Sequence, residues 1–515
     1  KEVYGLDAEN IMIGWKYPGA GTQEALVADV VSYILSNGSA GLIDLNLNQQ
    51  QKVLGAQAMS YTRPDAGEFL IMANPKHGQT LDEVKDLVLA EIAKLRAGEF
   101  DEALLTGTIN NMKLRQMRML ESNSDRADMF VQSFINGTDW ADEVAWIDNL
   151  SKVTKQDVID WANKYLSDNS YAVIYKRQGE DKTVQKVSAP KITPIKANRD
   201  AQSAFLAEIQ ATEVTPIEPV YVDYDKDMSI FDVNGLEVLY AQNELNDITY
   251  VTYSYNKGVT EDPALNLAFS YLSYLGTPTR SAEEIAQQMY QLACGFNMGS
   301  GSTTTSISVN GLAENMPQAM EIVEDLAYNA IPDEAILANL KADIFKSRID
   351  AKLSQGSCFS ALQSYILYGP EYIQKTTMSN EQIQALTSEE RDILGCQHEI
   401  RYYGPASETE AAELLKANHK IAEDLKPLEK QYIKYQTVDQ SKVYLAPYDA
   451  KQIRYIQYSN RGEKLDLAAD PYLTLYNEYF GGGMNAIVFQ EMREARGLAY
   501  SSSARLYMPS FKDDS

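Results

Sequence analysis

Apolar positions in this chain recur with two periods, about 3.6 residues in some segments and two residues in others. The run "TLDEVKDLVLAEIAKLRAGEF" has helical spacing, with Thr80 and Glu83 placed as a capping box. The run "NMPQAMEIVEDLAYN" predicts a similar helix, with Asn315 as its N-cap. Each follows an extended apolar run, "FLIMANP" or "SISVNGL", and a later strand pattern follows each, "SYAVIYK" or "HEIRYYG". The order of elements is therefore repeated.

A second repeat connects the two ends of the chain. Residues 11–58, moved along by 445 positions, fall on residues 456–503 without a gap. Each copy has the pattern of a strand, a polar turn, a helix, a break rich in Gly, Ser and Asn, a second helix and a second strand. In the later copy the break is Gly481, Gly482 and Gly483, with Asn485 as the expected N-cap of the second helix and Tyr500 on the second strand.

These repeats divide the chain into units. We expect a first α/β unit over residues 1–185, an extended linker rich in Pro and Thr over 186–225, a second unit over 226–422 and an incomplete third over 440–515. Strands joined by helix pairs predict an α+β fold, with helices packed on mainly antiparallel sheets. A helical repeat scaffold is disfavoured because strand patterns recur in every unit.

Composition and charge exclude several classes of function. The chain has 72 acidic and 46 basic residues, a net charge of −26, which argues against binding to the nucleic-acid phosphate backbone. No apolar stretch approaches the roughly 18 residues of a membrane span. The three cysteines, Cys294, Cys358 and Cys396, are odd in number and widely spaced, so we expect buried thiols and no disulfide framework.

Catalytic motifs are absent when the residues are considered alone. His77 lies in a predicted turn, His398 at the start of a strand and His419 at the end of a helix, and none has a metal-ligand partner at helical or turn spacing. We expect each to be structural or solvated. There is no nucleophile elbow, P-loop or dinucleotide fingerprint.

The stretch "GGGMNAIVFQEMREARGLAYS" resembles the C-terminal signature of the insulinase/pitrilysin family of zinc metallopeptidases, the inverzincins. The matching residues are Gly481, Gly482, Gly483, Phe489, Arg493, Gly497 and Tyr500. In that family one domain carries H-x-x-E-H, and an Arg and a Tyr of a facing domain hold the peptide against the zinc. The resemblance implies that Arg493 positions substrate, that Tyr500 stabilises the oxyanion and that the glycines form a supporting turn. Without it, Arg493 would be an exposed helix charge and Tyr500 a strand aromatic.

The resemblance extends over essentially the whole chain, since the family has four such domains in tandem. It implies that the three units are the second, the third and an incomplete fourth domain, and that the zinc-bearing first domain is absent. Leu267, Ser270 and Tyr271 stand where His, Glu and His would stand, so this chain is expected to bind no zinc. The repeat aligns Asn48 with Arg493 and Gly55 with Tyr500, so the first unit lacks the Arg and the Tyr that the last unit has.

The functional hypothesis is part of a zinc metalloendopeptidase that encloses and hydrolyses peptides or unfolded polypeptides, the zinc being bound by an N-terminal domain and this chain being inactive alone. The alternative is a non-catalytic peptide-binding or scaffolding subunit of the same family. Expected partners are the peptide substrate and that zinc domain, with a homodimer left open. The resemblance and the acidic, Cys-poor composition favour a bacterial periplasm or cell envelope.

Overall fold

The computed structural model describes residues 1–183, 185, 187–188, 201–388, 393–450 and 452–509. These residues form two mixed, mostly antiparallel sheets that carry packed helices, which confirms the predicted α+β class. The first sheet has the strand order β1-β5-β2-β4-β3, and the second has the order β6-β7-β11-β8-β10-β9. The strands are β1 Glu2–Gly5, β2 Asn10–Pro18, β3 Gly55–Thr62, β4 Ala66–Asn74, β5 Ala172–Gln178, β6 Ser229–Val233, β7 Leu236–Gln242, β8 Ile248–Tyr255, β9 Cys294–Ser300, β10 Thr305–Leu312 and β11 His398–Gly404.

The helices occur between and after these strands. Those of the first half are α1 Gln23–Leu35, α2 Leu81–Ala97, α3 Glu102–Glu121, α4 Asn123–Asn136, α5 Trp140–Val144, α6 Trp146–Leu150, α7 Lys155–Tyr165 and α8 Ala204–Ala211. Those of the second half are α9 Leu265–Leu272, α10 Ala282–Gln291, α11 Met316–Asn329, α12 Glu334–Ala351, α13 Gln355–Thr376, α14 Asn380–Ala385, α15 Glu408–Asn418, α16 Asp470–Phe480 and α17 Ile487–Phe489.

Alternation along the strands determines which face of each sheet is covered. In β2, the side chains of Ile11, Ile13, Trp15 and Tyr17 are buried, and α1, α2 and α7 contact this strand. In β8, Val251, Tyr253 and Tyr255 are buried in the same alternating way. Each sheet therefore has a hydrophobic core of its own.

Helix α2 begins at the predicted capping box. The Thr80 side chain accepts from the Glu83 backbone N–H, and the Glu83 carboxylate accepts from the Thr80 backbone N–H at 2.7 Å. Helix α11 also lies where the pattern predicts it. The expected cap does not form, however, because the Asn315 side chain donates to the Leu292 carbonyl at 2.8 Å and makes no N-cap bond.

The two sheets are joined through α3 and α10. The Tyr290 hydroxyl donates to Thr108 Oγ1 at 3.2 Å, and Asn111 Nδ2 donates to the Tyr290 carbonyl at 2.7 Å. Gly107 makes this approach feasible, since a Cβ there would lie 3.2 Å from the Tyr290 ring. A salt bridge of 2.9 Å between Lys76 and Asp343 adds a second connection.

The repeat between the two ends is confirmed in its helices. Helix α1 corresponds to α16, and a π-helical segment, Asp44–Gln49, has a counterpart in Gln490–Ala495. The strands of the later copy are not found, because residues 440–450 and 452–509 contain no strand. A strand needs a partner for its backbone groups, and neither sheet extends into these residues.

Two further expectations, on the linker and on the cysteines, need correction or qualification. The linker predicted over 186–225 includes α8, so it is not extended throughout. The Ser203 side chain caps this helix, and the residues of the helix are exposed. Residues 186 and 189–200 lie outside the described part. Cys294 and Cys396 are buried as predicted, but Cys358 is half-buried. No helix within the described ranges has the length and apolarity to span a bilayer.

The loop after α1 encloses the buried carboxylate of Asp44. Oδ2 accepts from the backbone N–H groups of Asn37 at 2.7 Å, Gly38 at 2.9 Å and Gly41 at 3.2 Å, and Ser36 Oγ donates to Oδ1. These contacts fix the path of the chain from α1 into the π-helical segment.

We predict that Asp44→Ala lowers the free energy of unfolding of the first α+β region by about 2–4 kcal/mol, because buried N–H groups lose their acceptor. All four tryptophans, at positions 15, 140, 146 and 161, lie in this region, so tryptophan fluorescence during urea unfolding reports on it. The exposed Asp65 provides the control, and Asp65→Ala should leave the midpoint unchanged. An unchanged midpoint for Asp44→Ala would show that the carboxylate is not needed.

Candidate functional site

The three glycines of the last unit lie between two helices, as predicted. Helix α16 ends at Phe480 and α17 begins at Ile487. Gly481 is buried, and a Cβ at this position would lie 2.0 Å from the carbonyl oxygen of Ala504. The absence of a side chain at Gly481 therefore allows the segment after the second helix to pass close to the end of α16.

Arg493 and Tyr500 are brought together by the end of the second helix. The Gly497 N–H donates to the Arg493 carbonyl at 3.0 Å and the Leu498 N–H donates to the Met492 carbonyl at 2.9 Å. Gly497 has φ +58°, the left-handed conformation that commonly ends a helix. The chain turns back at this point, and the Tyr500 ring lies 4.4 Å from the Arg493 guanidinium carbon.

The Phe489 ring also contacts the Arg493 guanidinium. Its ring centroid lies 4.8 Å from the Arg493 guanidinium carbon, so the guanidinium lies close to two rings. Phe489 matches the family motif, but the resemblance implies no role for it. The spacing of four residues on a helix was the available signal, because residues i and i+4 share a face.

Arg493, like the neighbouring Arg496, has an acidic partner. Its Nε lies 3.5 Å from Glu494 Oε1, while the neighbouring Arg496 pairs with Glu491 at 2.8 Å. The Tyr500 side chain is 83% exposed. A half-buried guanidinium and an exposed phenol can donate hydrogen bonds to a carbonyl or carboxylate of an approaching peptide.

Two local expectations about this site are wrong. Tyr500 lies in a bend and not on a strand. Asn485 does not cap the second helix, since the residue before α17 is Ala486 and no side chain makes the capping bond. Within the part of the chain that the structure describes, Tyr500 has no partner strand, and its ring instead contacts the Arg493 guanidinium.

The corresponding place in the first unit has a different chemistry. Asn48 Nδ2 donates to the Ala56 carbonyl and the Ala56 N–H donates to Asn48 Oδ1, both at 2.8 Å. The Asn48 side chain therefore ties the π-helical segment to β3, and both its polar atoms are occupied. Gly55, at the position of Tyr500, offers no side chain.

Helix α16 exposes the face that α1 buries. Val27, Val30, Val31 and Ile34 are buried in α1. The corresponding positions of α16 are exposed and mainly aromatic: Tyr472, Leu475, Tyr476 and Tyr479. The last unit therefore presents an apolar helix face on the same element that leads into the glycine turn.

The positions that match the family's zinc helix have no ligand set. On α9, the Leu267 side chain has no atom that could bind a metal, and Ser270 is exposed. The Tyr271 hydroxyl donates to the Asp333 carbonyl at 2.8 Å and accepts from the Asp333 N–H at 2.6 Å. Across the described ranges, no group of three or more His, Cys, Asp and Glu side chains is placed to hold a metal ion. These residues do not fit a zinc ion.

Residues 2–112 match the family model described as the Peptidase M16 inactive domain. The zinc protease PqqE of Helicobacter pylori is 26% identical over 178 residues, which are 33% of this chain and 38% of that protein. An uncharacterized zinc protease of Rickettsia felis is 23% identical over 291 residues, 52% of this chain and 67% of that protein. The matched region thus spans well under half the length of PqqE.

Two solved protease structures are similar to this chain at lower sequence identity. The periplasmic protease PqqL from Escherichia coli is 14% identical, with 98% of this chain and 60% of that chain covered and a TM-score of 0.41. Pitrilysin is 14% identical, with 80% and 47% covered and a TM-score of 0.43.

We predict that Phe489→Leu increases the mobility of the Arg493 side chain, because one of its two ring contacts is lost, at a cost of about 0.5–1 kcal/mol. The Arg493 Nε–H proton resonance, shifted by the ring currents of Phe489 and Tyr500, should move toward the random-coil value. Phe480→Leu, which removes a ring stacked on Tyr476, is the matched control and should leave that resonance in place. An unmoved Arg493 resonance in Phe489→Leu would contradict the contact.

Proposed function

We propose that this chain, which belongs to the M16 (pitrilysin/insulinase) peptidase family, supplies walls and substrate-positioning side chains to a zinc metalloendopeptidase that encloses peptides. One observation carries the proposal. The family motif assigns substrate contact to Arg493 and Tyr500. Six residues separate them in the sequence, yet the Arg493 guanidinium carbon lies 4.4 Å from the centre of the Tyr500 ring.

The proposed roles follow from the chemistry of these side chains. Arg493 would donate from its planar guanidinium to a peptide carbonyl or carboxylate, and Phe489 would hold that plane in position. Tyr500 would donate its hydroxyl hydrogen to the oxygen that becomes negative when the peptide carbonyl is attacked. Each such donor is worth on the order of 2–4 kcal/mol in the transition state.

The proposed zinc site lies outside this chain. Leu267, Ser270 and Tyr271 cannot bind zinc, and the family model that matches residues 2–112 is that of an inactive domain. We therefore propose that a further domain holds the metal and faces Arg493 and Tyr500, and that this chain alone hydrolyses no peptide. In this proposal the units over 1–185, 226–422 and 440–515 are the second, third and fourth domains.

The substrate class and location belong to the same proposal. Membership of the family implies a peptide substrate, and the net charge of −26 favours a basic over an acidic one. We place the protein in a bacterial periplasm or cell envelope, with support from composition and from one structural neighbour that is a periplasmic protease. A homodimer stays a prediction.

We predict that Arg493→Ala and Tyr500→Phe each lower kcat/KM for a peptide substrate on the order of 10²–10³-fold in the protein that includes the zinc domain. The reason is the loss of one donor that contacts the reacting peptide. A fluorogenic peptide measures the rate, and metal analysis should show unchanged zinc content. Arg496→Ala is the control, because Arg496 is exposed and pairs with Glu491.

Full activity in both variants would rule out the positioning role. The competing proposal, a non-catalytic peptide-binding or scaffolding subunit, is supported by the inactive-domain match. It predicts peptide binding without hydrolysis in the complete protein, and no H-x-x-E-H sequence in any domain that accompanies this chain.

A further inference from the structure

A buried chain of hydrogen bonds lies where the polypeptide leaves the second sheet. The chain passes from β11 through α15, and His419 is the residue that follows α15. His419 Nε2 lies 2.9 Å from His398 Nε2, at the start of β11, and His419 Nδ1 lies 2.6 Å from Glu324 Oε1 on α11. His398 Nδ1 lies 2.9 Å from the Cys396 carbonyl oxygen. All three side chains, His398, His419 and Glu324, are buried.

These contacts fix the number of protons. A carbonyl only accepts, so His398 Nδ1 carries a hydrogen. One hydrogen lies between the two Nε2 atoms, and one lies between His419 and Glu324. A further proton on His398 would place two N–H groups opposite each other across 2.9 Å. The network therefore holds three hydrogens, and a fourth proton taken up by the facing imidazoles breaks the bond between His398 and His419.

The same residues hold the exit segment, residues 419–428, against the core. The Lys420 N–H approaches Glu324 Oε2 at 3.4 Å, and the Tyr328 hydroxyl donates to the Lys420 carbonyl at 2.8 Å. Further along, the Lys426 N–H donates to the Gly395 carbonyl at 2.9 Å. The residues that follow lead to α16 and to Arg493.

We infer that this network is a pH-sensitive anchor, which holds the exit segment to the second sheet near neutral pH and releases it when His398 takes up a proton. The inference concerns the connection between the second sheet and the last unit. It does not depend on the proposed peptidase function.

The tyrosines that face the network stay uncharged over the pH range in which His398 takes up a proton. Tyr253 and Tyr255 of β8 contact the imidazoles, with the Tyr253 ring 3.9 Å from that of His419. Burial raises the pKa of both phenols, and it raises the pKa of Tyr328 on α11 to about 12. Lys420, a charged residue next to His419 in the chain, has its Nζ 5.6 Å from the Tyr328 ring.

The sign of the pH dependence follows from His398. Burial lowers the pKa of His398 to about 4, whereas a released imidazole has the ordinary value of about 6.5. Between these values the released state binds one more proton than the anchored state. The equilibrium constant for release therefore rises as the pH falls from about 6.5 toward about 4, by at most about tenfold for each pH unit.

Hydrogen exchange of the full chain tests the inference. Peptides that cover α15 and the exit segment should exchange about 40-fold faster at pH 4.5 than at pH 6.5, relative to α1 peptides of the same molecule and after correction for intrinsic rates. In His398→Phe this extra pH dependence should disappear. The third histidine, His77, is exposed, and His77→Gln should behave as the unmodified chain does.

Equal relative exchange at both pH values, or a full pH dependence in His398→Phe, would overturn the inference. A second measurement needs no variant. Long-range ¹H–¹⁵N spectra of the histidine rings should show His398 at pH 6.5 as the neutral tautomer with its hydrogen on Nδ1. A charged ring, or a hydrogen on Nε2 alone, would contradict the anchor.

Discussion

The packing of Tyr290 against α3 is the central contact between the two sheets, which other polar contacts such as the Lys76–Asp343 salt bridge accompany. Each sheet buries a core of its own, and a small third cluster packs Leu114 of α3 against Ile248 and Ala293 of the second region. The connection depends on a glycine at 107, which lets the ring approach the α3 backbone, and on the buried hydroxyl bond to Thr108. Because an unpaired buried hydroxyl is costly, this contact allows few relative positions of α3 and α10.

Much of the fold could be predicted from the sequence because local signals and burial agree. The capping box at Thr80 and Glu83, the helices around it, and the strands β4, β5, β10 and β11 all lie where periodicity predicts them. The strands expected in residues 456–503 do not form. Alternation indicates which residues a sheet would bury, but a strand also needs neighbouring strands, and periodicity contains no information about these.

The candidate site was predicted in part. The family motif indicated Arg493 and Tyr500, and the left-handed turn at Gly497 explains how they meet. Asn485 is not a cap, because the helix begins two residues later. The buried histidine network could not be predicted from spacing, since Glu324 and His419 are 95 residues apart in the sequence. Only the packing of α11 against α15 brings them together.

The exposed face of α16 has a consequence for the colloidal behaviour of the chain. Tyr472, Leu475 and Tyr479 present an aromatic and aliphatic surface where α1 has a covered one. Between two molecules, attraction of such faces is opposed by the repulsion of 26 net negative charges. Salt shortens the range of that repulsion to about 10 Å at 0.1 M and leaves apolar attraction intact. Low ionic strength therefore favours dispersed molecules, and concentrated salt favours self-association through α16.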